Sequence, residues 1–306
     1  MDTPTTWSRS DIGDLSNMTA MITGANSGLG KVTARVLAES GAQVILACRN
    51  VESGEAAMRS IKSAAPAARL SVQALDLADL SSVSMASTQV AERHDRLDLL
   101  INNAGIMAVE QGDTVDGFER QFGTNHLGHF ALTGHLMPLL RASSARVVAL
   151  SSIAAQKGQL NFDDLHHRSD YDRWVVYRQS KLANLMFAFE LAKWAERSST
   201  PITSVAAHPG VSSTGLGKGL ATGGFFERIQ AAAFAVAGQS PEDGALPVLY
   251  AAVADIPPAS FIGPDGIAEF RGKHPTAAKV PPQAHDAAAA KRLWEESEKL
   301  TAVQYG

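Results

Sequence analysis

The chain has 306 residues, with 27 Lys and Arg against 31 Asp and Glu for a net charge of −4, and 45% of its residues are hydrophobic against 19% charged. This mildly acidic balance, without a block of five like charges, excludes nucleic acid or an anionic membrane as the main partner, because both need a basic footprint, and the composition is that of a globular protein rather than a disordered chain. The single cysteine, Cys48, excludes an internal disulfide and a cysteine-based zinc cluster and fits a reducing cytoplasm, and no basic-then-apolar leader or uncharged apolar run of membrane-spanning length is seen, so neither an export signal nor an integral membrane segment is expected.

Taken in chain order, short β-rich runs at 19–23, 43–47, 70–74, 97–102, 146–151 and 202–207 alternate with helical patterns at 29–40, 51–65, 79–94, 118–140 and 177–196. Such alternation predicts βαβ units and a parallel sheet covered on both faces, and right-handed crossovers make it a doubly wound, Rossmann-type α/β fold. No Pro/Gly/Ser-rich linker or internal repeat divides the strands, so residues 1–306 are read as one domain, with a first half at about 15–150 and a second at about 151–306. Later, Ser240 followed by Pro241, Glu242 and Asp243 carries the signature of a helix start, predicting a helix to about Ala254. A short seventh strand is expected at 261–263, a Gly/Pro-punctuated loop at 264–285 and a last helix at 287–300.

The first strand runs into Thr23, Gly24, Ala25, Asn26, Ser27, Gly28, Leu29 and Gly30, which opens a helix. In that position Gly24 permits the sharp turn, Gly28 lets backbone approach a pyrophosphate, and Gly30 lets helix pack closely on strand, with free amides aimed at the anion. The second strand ends in Cys48, Arg49 and Asn50, without the acid that would hold a free ribose 2′-hydroxyl. Arg49 is placed to grip a 2′-phosphate with its planar fork of donors, so NADP(H) is expected over NAD(H).

Asn102, Asn103, Ala104 and Gly105 follow at the end of the fourth strand, and Tyr177, Arg178, Gln179, Ser180 and Lys181 open the fifth helix. With TGANSGLG, ACRN, NNAG, YRQSKLAN, HPGVSST and RLWEES in this order, nearly the whole chain resembles the short-chain dehydrogenase/reductase family, in its retinol dehydrogenase-like and WW-domain oxidoreductase-like branch. The resemblance implies strand order 3-2-1-4-5-6-7, Asp76 and Leu77 flanking adenine, and Asn103 near the adenosine ribose with Ala104 and Gly105 beside it. It also implies that the 209–214 segment, with Pro209, Gly210, Val211 and Ser213, closes over the nicotinamide. It places the catalytic Tyr at Tyr177, Lys at Lys181, Ser at Ser152 and helix Asn at Asn125, the last anchoring a water that links Lys181 to solvent.

Tyr177 and Lys181 lie four apart and share a helix face, so the ammonium is expected to favour phenolate over phenol. Ser151 and Ser152 face opposite ways on a strand, and the alignment selects Ser152. The implied activity is hydride transfer between nicotinamide and a carbonyl or alcohol of a small, apolar substrate; the alternative is an idle NADP(H)-binding sensor or scaffold on the same fold. The 24 residues between Ser152 and Tyr177 form an insertion shared with the retinol dehydrogenase-like branch and suggest a wall of the substrate pocket. Many vertebrate members of that branch begin with a membrane anchor, and none is expected here. His126, His129, His166 and His167 recur without ligand spacing and are read as structural or solvated, not metal-binding. Residues 225–237 read as a lid or a core-packed helix, and Cys48 as a small buried residue. Family members form monomers, dimers and tetramers, so a homo-oligomer stays open.

Overall fold

Eight strands form one sheet in the computed structural model, which describes residues 7–211 and 239–305. They are β1 Thr19–Thr23, β2 Gln43–Cys48, β3 Arg69–Ala74, β4 Leu99–Asn102, β5 Arg146–Leu150, β6 Thr203–Ala207, β7 Phe261–Pro264 and β8 Pro275–Ala277. Their order is β3-β2-β1-β4-β5-β6-β7-β8, which is the expected order with one strand added. Pairing is parallel as far as β7, and β8 runs antiparallel to β7 with Ile262 opposite Ala277.

Side chains alternate across the strands and so feed two cores. Met21, Leu100 and Val147 point into one, while Ala20, Ile22, Leu99, Ile101 and Val148 point into the other. Helices α1 Gly28–Glu39, α2 Val51–Ala64 and α8 Pro241–Val253 cover the second core. The first lies under α3 Leu80–Ala91, α5 Gly128–His135, α6 Met137–Ser143, α7 Arg173–Arg197 and α9 Ala287–Thr301. Ser240 caps α8 by accepting from the Asp243 amide at 3.1 Å, as its sequence signature implied.

Two predicted elements differ. The single helix expected at 118–140 is broken into a turn α4 Arg120–Phe122, a π turn Gly123–Leu127, then α5 and α6. Where a continuous α-helix was expected, the Gly128 amide reaches back five residues to the Gly123 carbonyl, because the helix crosses the β3–α3 connection at contact distance: a Cβ on Gly128 would stand 2.3 Å from the Leu77 carbonyl oxygen. The expected loop at 264–285 contains β8 and the turns Ile267–Glu269 and Pro282–His285. Its strand is a three-residue edge piece beginning with Pro275, where a missing backbone donor is tolerated. The 225–237 segment lies outside the described residues.

Strand order reverses at β1, whose neighbours are β2 and β4. The connections leaving β1 and β4 lead to helices on opposite faces of the sheet, α1 and α5, and the crevice outside the strand ends at such a point is where open α/β sheets take ligands.

Candidate active site

The crevice floor is the turn after β1. Gly24 and Gly28 have φ of +67° and +51°, the left-handed region that costs glycine nothing. Gly30 is where α1 meets the turn, for a Cβ there would stand 2.5 Å from the Gly24 carbonyl oxygen and 2.6 Å from Asn103 Nδ2. Asn26 is fastened to α2 by a 3.1 Å bond from Nδ2 to Ser53 Oγ, exposed Ser27 is the N-cap residue of α1, and Leu29 is buried under it. The cleft above has a volume of about 210 Å³. Gly24, Asn26, Arg49, Asp76, Leu77, Ala104, Gly105 and Thr124 line it, and Arg49 is exposed at its rim. Asp76 is held there by its own Oδ1, which accepts from the Ala78 amide at 3.0 Å. A cradle of this shape, whose glycines a Cβ would fill, fits a dinucleotide.

Thr23 is a functional position that sequence reasoning passed over. Its Oγ1 accepts from the amides of Asn103 and Ala104, each at 2.9 Å, and lies 2.9 Å from His129 Nε2. Asn103 Nδ2 also donates to the Thr23 carbonyl at 2.6 Å, so the glycine turn and the turn after β4 are sewn together. The other imidazole nitrogen, Nδ1, lies 2.8 Å from the Asn125 carbonyl, which can only accept. Nδ1 therefore carries the proton and Nε2 accepts from the Thr23 hydroxyl. His129 is neutral in this arrangement, and burial lowers its pKa to about 4. The available signal was its place four residues after Asn125.

Asn125 clamps the same turn from the other side. Its Oδ1 accepts from the Ile106 amide at 2.8 Å, and its Nδ2 donates to the Ile106 carbonyl and to Ser180 Oγ, both at 2.9 Å. Ser180 lies on α7, which starts four residues before the expected Tyr177 because Asp172 Oδ1 caps the amides of Trp174 and Val175 at 2.9 and 2.8 Å. Tyr177 and Lys181 therefore stand inside the helix, one turn apart. Lys181 Nζ donates to the Leu150 carbonyl at 3.2 Å and lies 5.9 Å from the Tyr177 ring centroid. The two serines after β5 do face opposite ways: Ser151 Oγ donates to the Lys181 carbonyl at 2.7 Å, whereas Ser152 Oγ accepts from the Ala154 amide at 3.2 Å on the side of Tyr177, whose phenol pKa it lowers.

The electrostatics differ from the expectation. Burial raises the Tyr177 phenol to about 12, with Ser152 pulling it down, and burial lowers Lys181 to about 8. Desolvation penalises both charged forms here, and at this separation it outweighs the attraction that would have favoured phenolate.

The cleft and the tyrosine face meet at Gly105. A Cβ there would stand 3.2 Å from Asn125 Oδ1 and 3.3 Å from Lys181 Nζ. Pro209, Gly210 and Val211 leave β6 at this same edge, next to the end of β5, where the Ser151 amide donates to the Ala207 carbonyl at 2.9 Å. Ser213 lies outside the described residues. Cys48 is buried, and burial raises its thiol pKa. His126 Nε2 bonds Ser297 Oγ at 2.8 Å and His166 Nδ1 accepts from the Glu119 amide at 3.2 Å, so both act within the packing. Among the described residues no helix is long and apolar enough to cross a membrane.

Fold and site define an oxidoreductase of the dinucleotide-binding α/β class. The chain belongs to the short chain dehydrogenase family, whose sequence model matches residues 18–223. Members act on CH–OH or C=O groups with NAD(P)(H). Human retinol dehydrogenase 13 is 40% identical over 94% of this chain and 85% of its own length, and human retinol dehydrogenase 14 is 36% identical over 96% and 89%. The crystal structure of an uncharacterised protein from Mycobacterium paratuberculosis superimposes with a TM-score of 0.80 at 42% identity, over 98% of this chain and 99% of that one.

Proposed function

We propose that the protein is an NADP(H)-dependent reductase or dehydrogenase acting on the carbonyl or alcohol group of a small apolar molecule, with Tyr177 exchanging the proton. One observation carries this reading: the cofactor-type cleft and the tyrosine face share Gly105, with Asn125 Oδ1 and Lys181 Nζ 3.2 and 3.3 Å from where its Cβ would stand. A substrate lying over the turn after β4 is thereby within reach of the groups beside Tyr177.

When bound, the nicotinamide supplies or takes the hydride, so the redox chemistry is the cofactor's. Gly24, Asn26, Ser27, Gly28, Leu29 and Gly30 form its pyrophosphate cradle. Arg49 takes the 2′-phosphate, Asp76 and Leu77 the adenine, Asn103, Ala104 and Gly105 the adenosine ribose, and Pro209, Gly210, Val211 and Ser213 the nicotinamide. In the reductive direction the Tyr177 hydroxyl donates its proton to the substrate oxygen, and the Ser152 hydroxyl donates to the same oxygen and holds it there. The Lys181 ammonium then offsets the charge left on the phenolate. Asn125 holds the Ile106 end of the cleft in register with Ser180 on the tyrosine's helix.

The test is NADPH oxidation over a panel of aldehydes, ketones, quinones and steroids, with Tyr177→Phe beside the wild type. Turnover lost in the variant, at unchanged cofactor affinity, is the expected result. Tight NADPH binding with no turnover on any member of the panel would replace this reading with a cofactor-binding sensor or scaffold.

A further inference from the structure

We propose that His208 and Glu269 form a positioning pair that sets the 209–211 backbone for the nicotinamide end of the cofactor; the proposal rests on the reading of the site just given. His208 follows β6 directly and is fully buried, with its ring 5.1 Å from that of Phe261. Gly263 on β7 makes room for it, since a Cβ there would stand 2.2 Å from Nε2. The Gly210 amide donates to His208 Nδ1 at 3.2 Å. The proton of the neutral ring is thus on Nε2, which donates to Glu269 Oε2 at 2.9 Å. Glu269 Oε1 accepts from the Lys279 amide at 2.6 Å, next to β8.

The turn that carries Glu269 is held against its own preference. Ala268 and Glu269 have φ of +51° and +59°, two successive residues with a Cβ in the left-handed region, which persists only where the surroundings fix it. What fixes it also fixes the 209–211 segment. The next carbonyl, that of Phe270, accepts from the Val211 amide at 2.7 Å. Gln239 completes the arrangement: its Nε2 donates to the Pro209 carbonyl at 2.5 Å, its amide to the Val211 carbonyl at 2.8 Å, and its Oε1 accepts from the Gly272 amide at 3.0 Å. Pro209, Gly210 and Val211 are each bonded to this frame, at the sheet edge that also carries Ser152. A charged acceptor on a buried imidazole is the strongest single bond in it. Removing either partner releases the segment assigned to the nicotinamide and leaves the glycine turn, on the far side of Ser152, as it was.

The experiment measures binding without turnover. NADPH affinity is read from the fluorescence change of the reduced ring, and 2′-phospho-ADP-ribose, which ends before the ring, is measured by calorimetry; NADH and ADP-ribose are run in parallel. Glu269→Ala and His208→Phe, the latter keeping the ring volume, are each expected to weaken NADPH about tenfold or more while moving 2′-phospho-ADP-ribose less than about twofold. The double variant is expected to bind NADPH as the weaker single does, because the two residues act through one bond. Glu269→Gln keeps an oxygen for the imidazole proton and is expected to recover part of the affinity. Equal losses for NADPH and for the fragment reduce the pair to fold support and overturn the proposal, as does unchanged NADPH affinity in all variants or full additivity in the double. A wild-type protein that binds neither NADPH nor NADH instead overturns the proposed function, a failure visible before any variant is compared.

Discussion

At the residue scale, Tyr177 and Lys181 set the pH behaviour. With the phenol raised to about 12 and the lysine lowered to about 8, the pair at neutral pH is a protonated phenol beside an ammonium. That is the state a reductive proton donor needs. Above pH 8 the lysine loses its charge first, and the phenolate formed on proton donation loses its counter-charge. Carbonyl reduction is therefore expected to be level from about pH 6 to 7.5 and to fall through an apparent pKa near 8, measured as kcat against pH with NADPH saturating. Tyr177→Phe is expected to lower kcat by at least about 100-fold, since it removes the general acid, while NADPH affinity stays. Arg49 is tested separately. It stands exposed at the rim of the cleft, and Arg49→Asp replaces a phosphate-binding fork with a like charge, so NADPH is expected to bind about 10- to 100-fold more weakly and NADH as well or better. Titration of both cofactors decides it, because equal losses would reject the phosphate grip.

At the element scale, the glycine turn proposed as the cofactor cradle is also a packing device. A methyl at Gly30 meets the backbone Gly24 carbonyl oxygen at 2.5 Å and, at 2.6 Å, the side-chain amide of Asn103, which its bond to the Thr23 carbonyl holds in place. Gly30→Ala must push α1 off β1, at about 1–3 kcal/mol, so thermal unfolding is expected roughly 2–8 °C lower and NADPH affinity at least about tenfold weaker. The contact of Gly30 with Gly24 was legible in the sequence because it is local: strand, turn and helix are adjacent in the chain, and the glycine spacing marks the close approach. The same holds for the Ser240 cap and for the first seven strands, whose runs of apolar residues announce burial on both faces except in β3, which is mostly half-exposed. Contacts between distant segments were not legible. His129 meets Thr23 across 106 residues, and His208 meets Glu269 across 61, in a turn that composition marks only as Gly/Pro-punctuated loop. The π turn escaped for a related reason: apolar spacing over 118–140 fits an uninterrupted helix, and the insertion of one residue is imposed by the neighbouring connection at Leu77. Tyr177 and Lys181 were correctly placed on one face, yet their titration could not be read from spacing, because the depth of burial that dominates it is a property of the folded chain.

At the scale of the whole molecule, the interior polar network makes stability depend on mild acid. His126 and His129 are both buried and neutral, with pKa lowered by desolvation to about 3 and about 4 from the usual 6.5. In the unfolded chain both would take up protons as pH falls through 6.5, while the native state takes up none until near 4. The unfolded state then binds more protons, so stability present above pH 6.5 is lost on the way down, by up to about 1.4 kcal/mol per pH unit for each ring. By pH 5 the two together cost about 4 kcal/mol, a large part of the 5–15 kcal/mol typical of a folded domain. Carboxylates do not account for this window: Asp164, held near 2 by the amides of Arg168 and Ser169, loses its contribution only below its unfolded value of 3.8. Buried Glu119 works the other way, its raised pKa letting the native state take up a proton first and offset part of the loss. Urea unfolding measured at half-unit steps from pH 7.5 to 5 is therefore expected to show stability falling with a slope of about two protons per molecule from these rings, increased by the partly buried His94, His135 and His166, whose pKa burial also lowers. His129→Gln, which keeps an amide donor and acceptor but cannot titrate, is expected to be less stable at pH 7.5 and to lose about one proton of that slope. A slope unchanged in the variant would mean that His129 does not stay neutral in the fold, and that the proton bookkeeping joining Asn125, His129 and Thr23 is wrong.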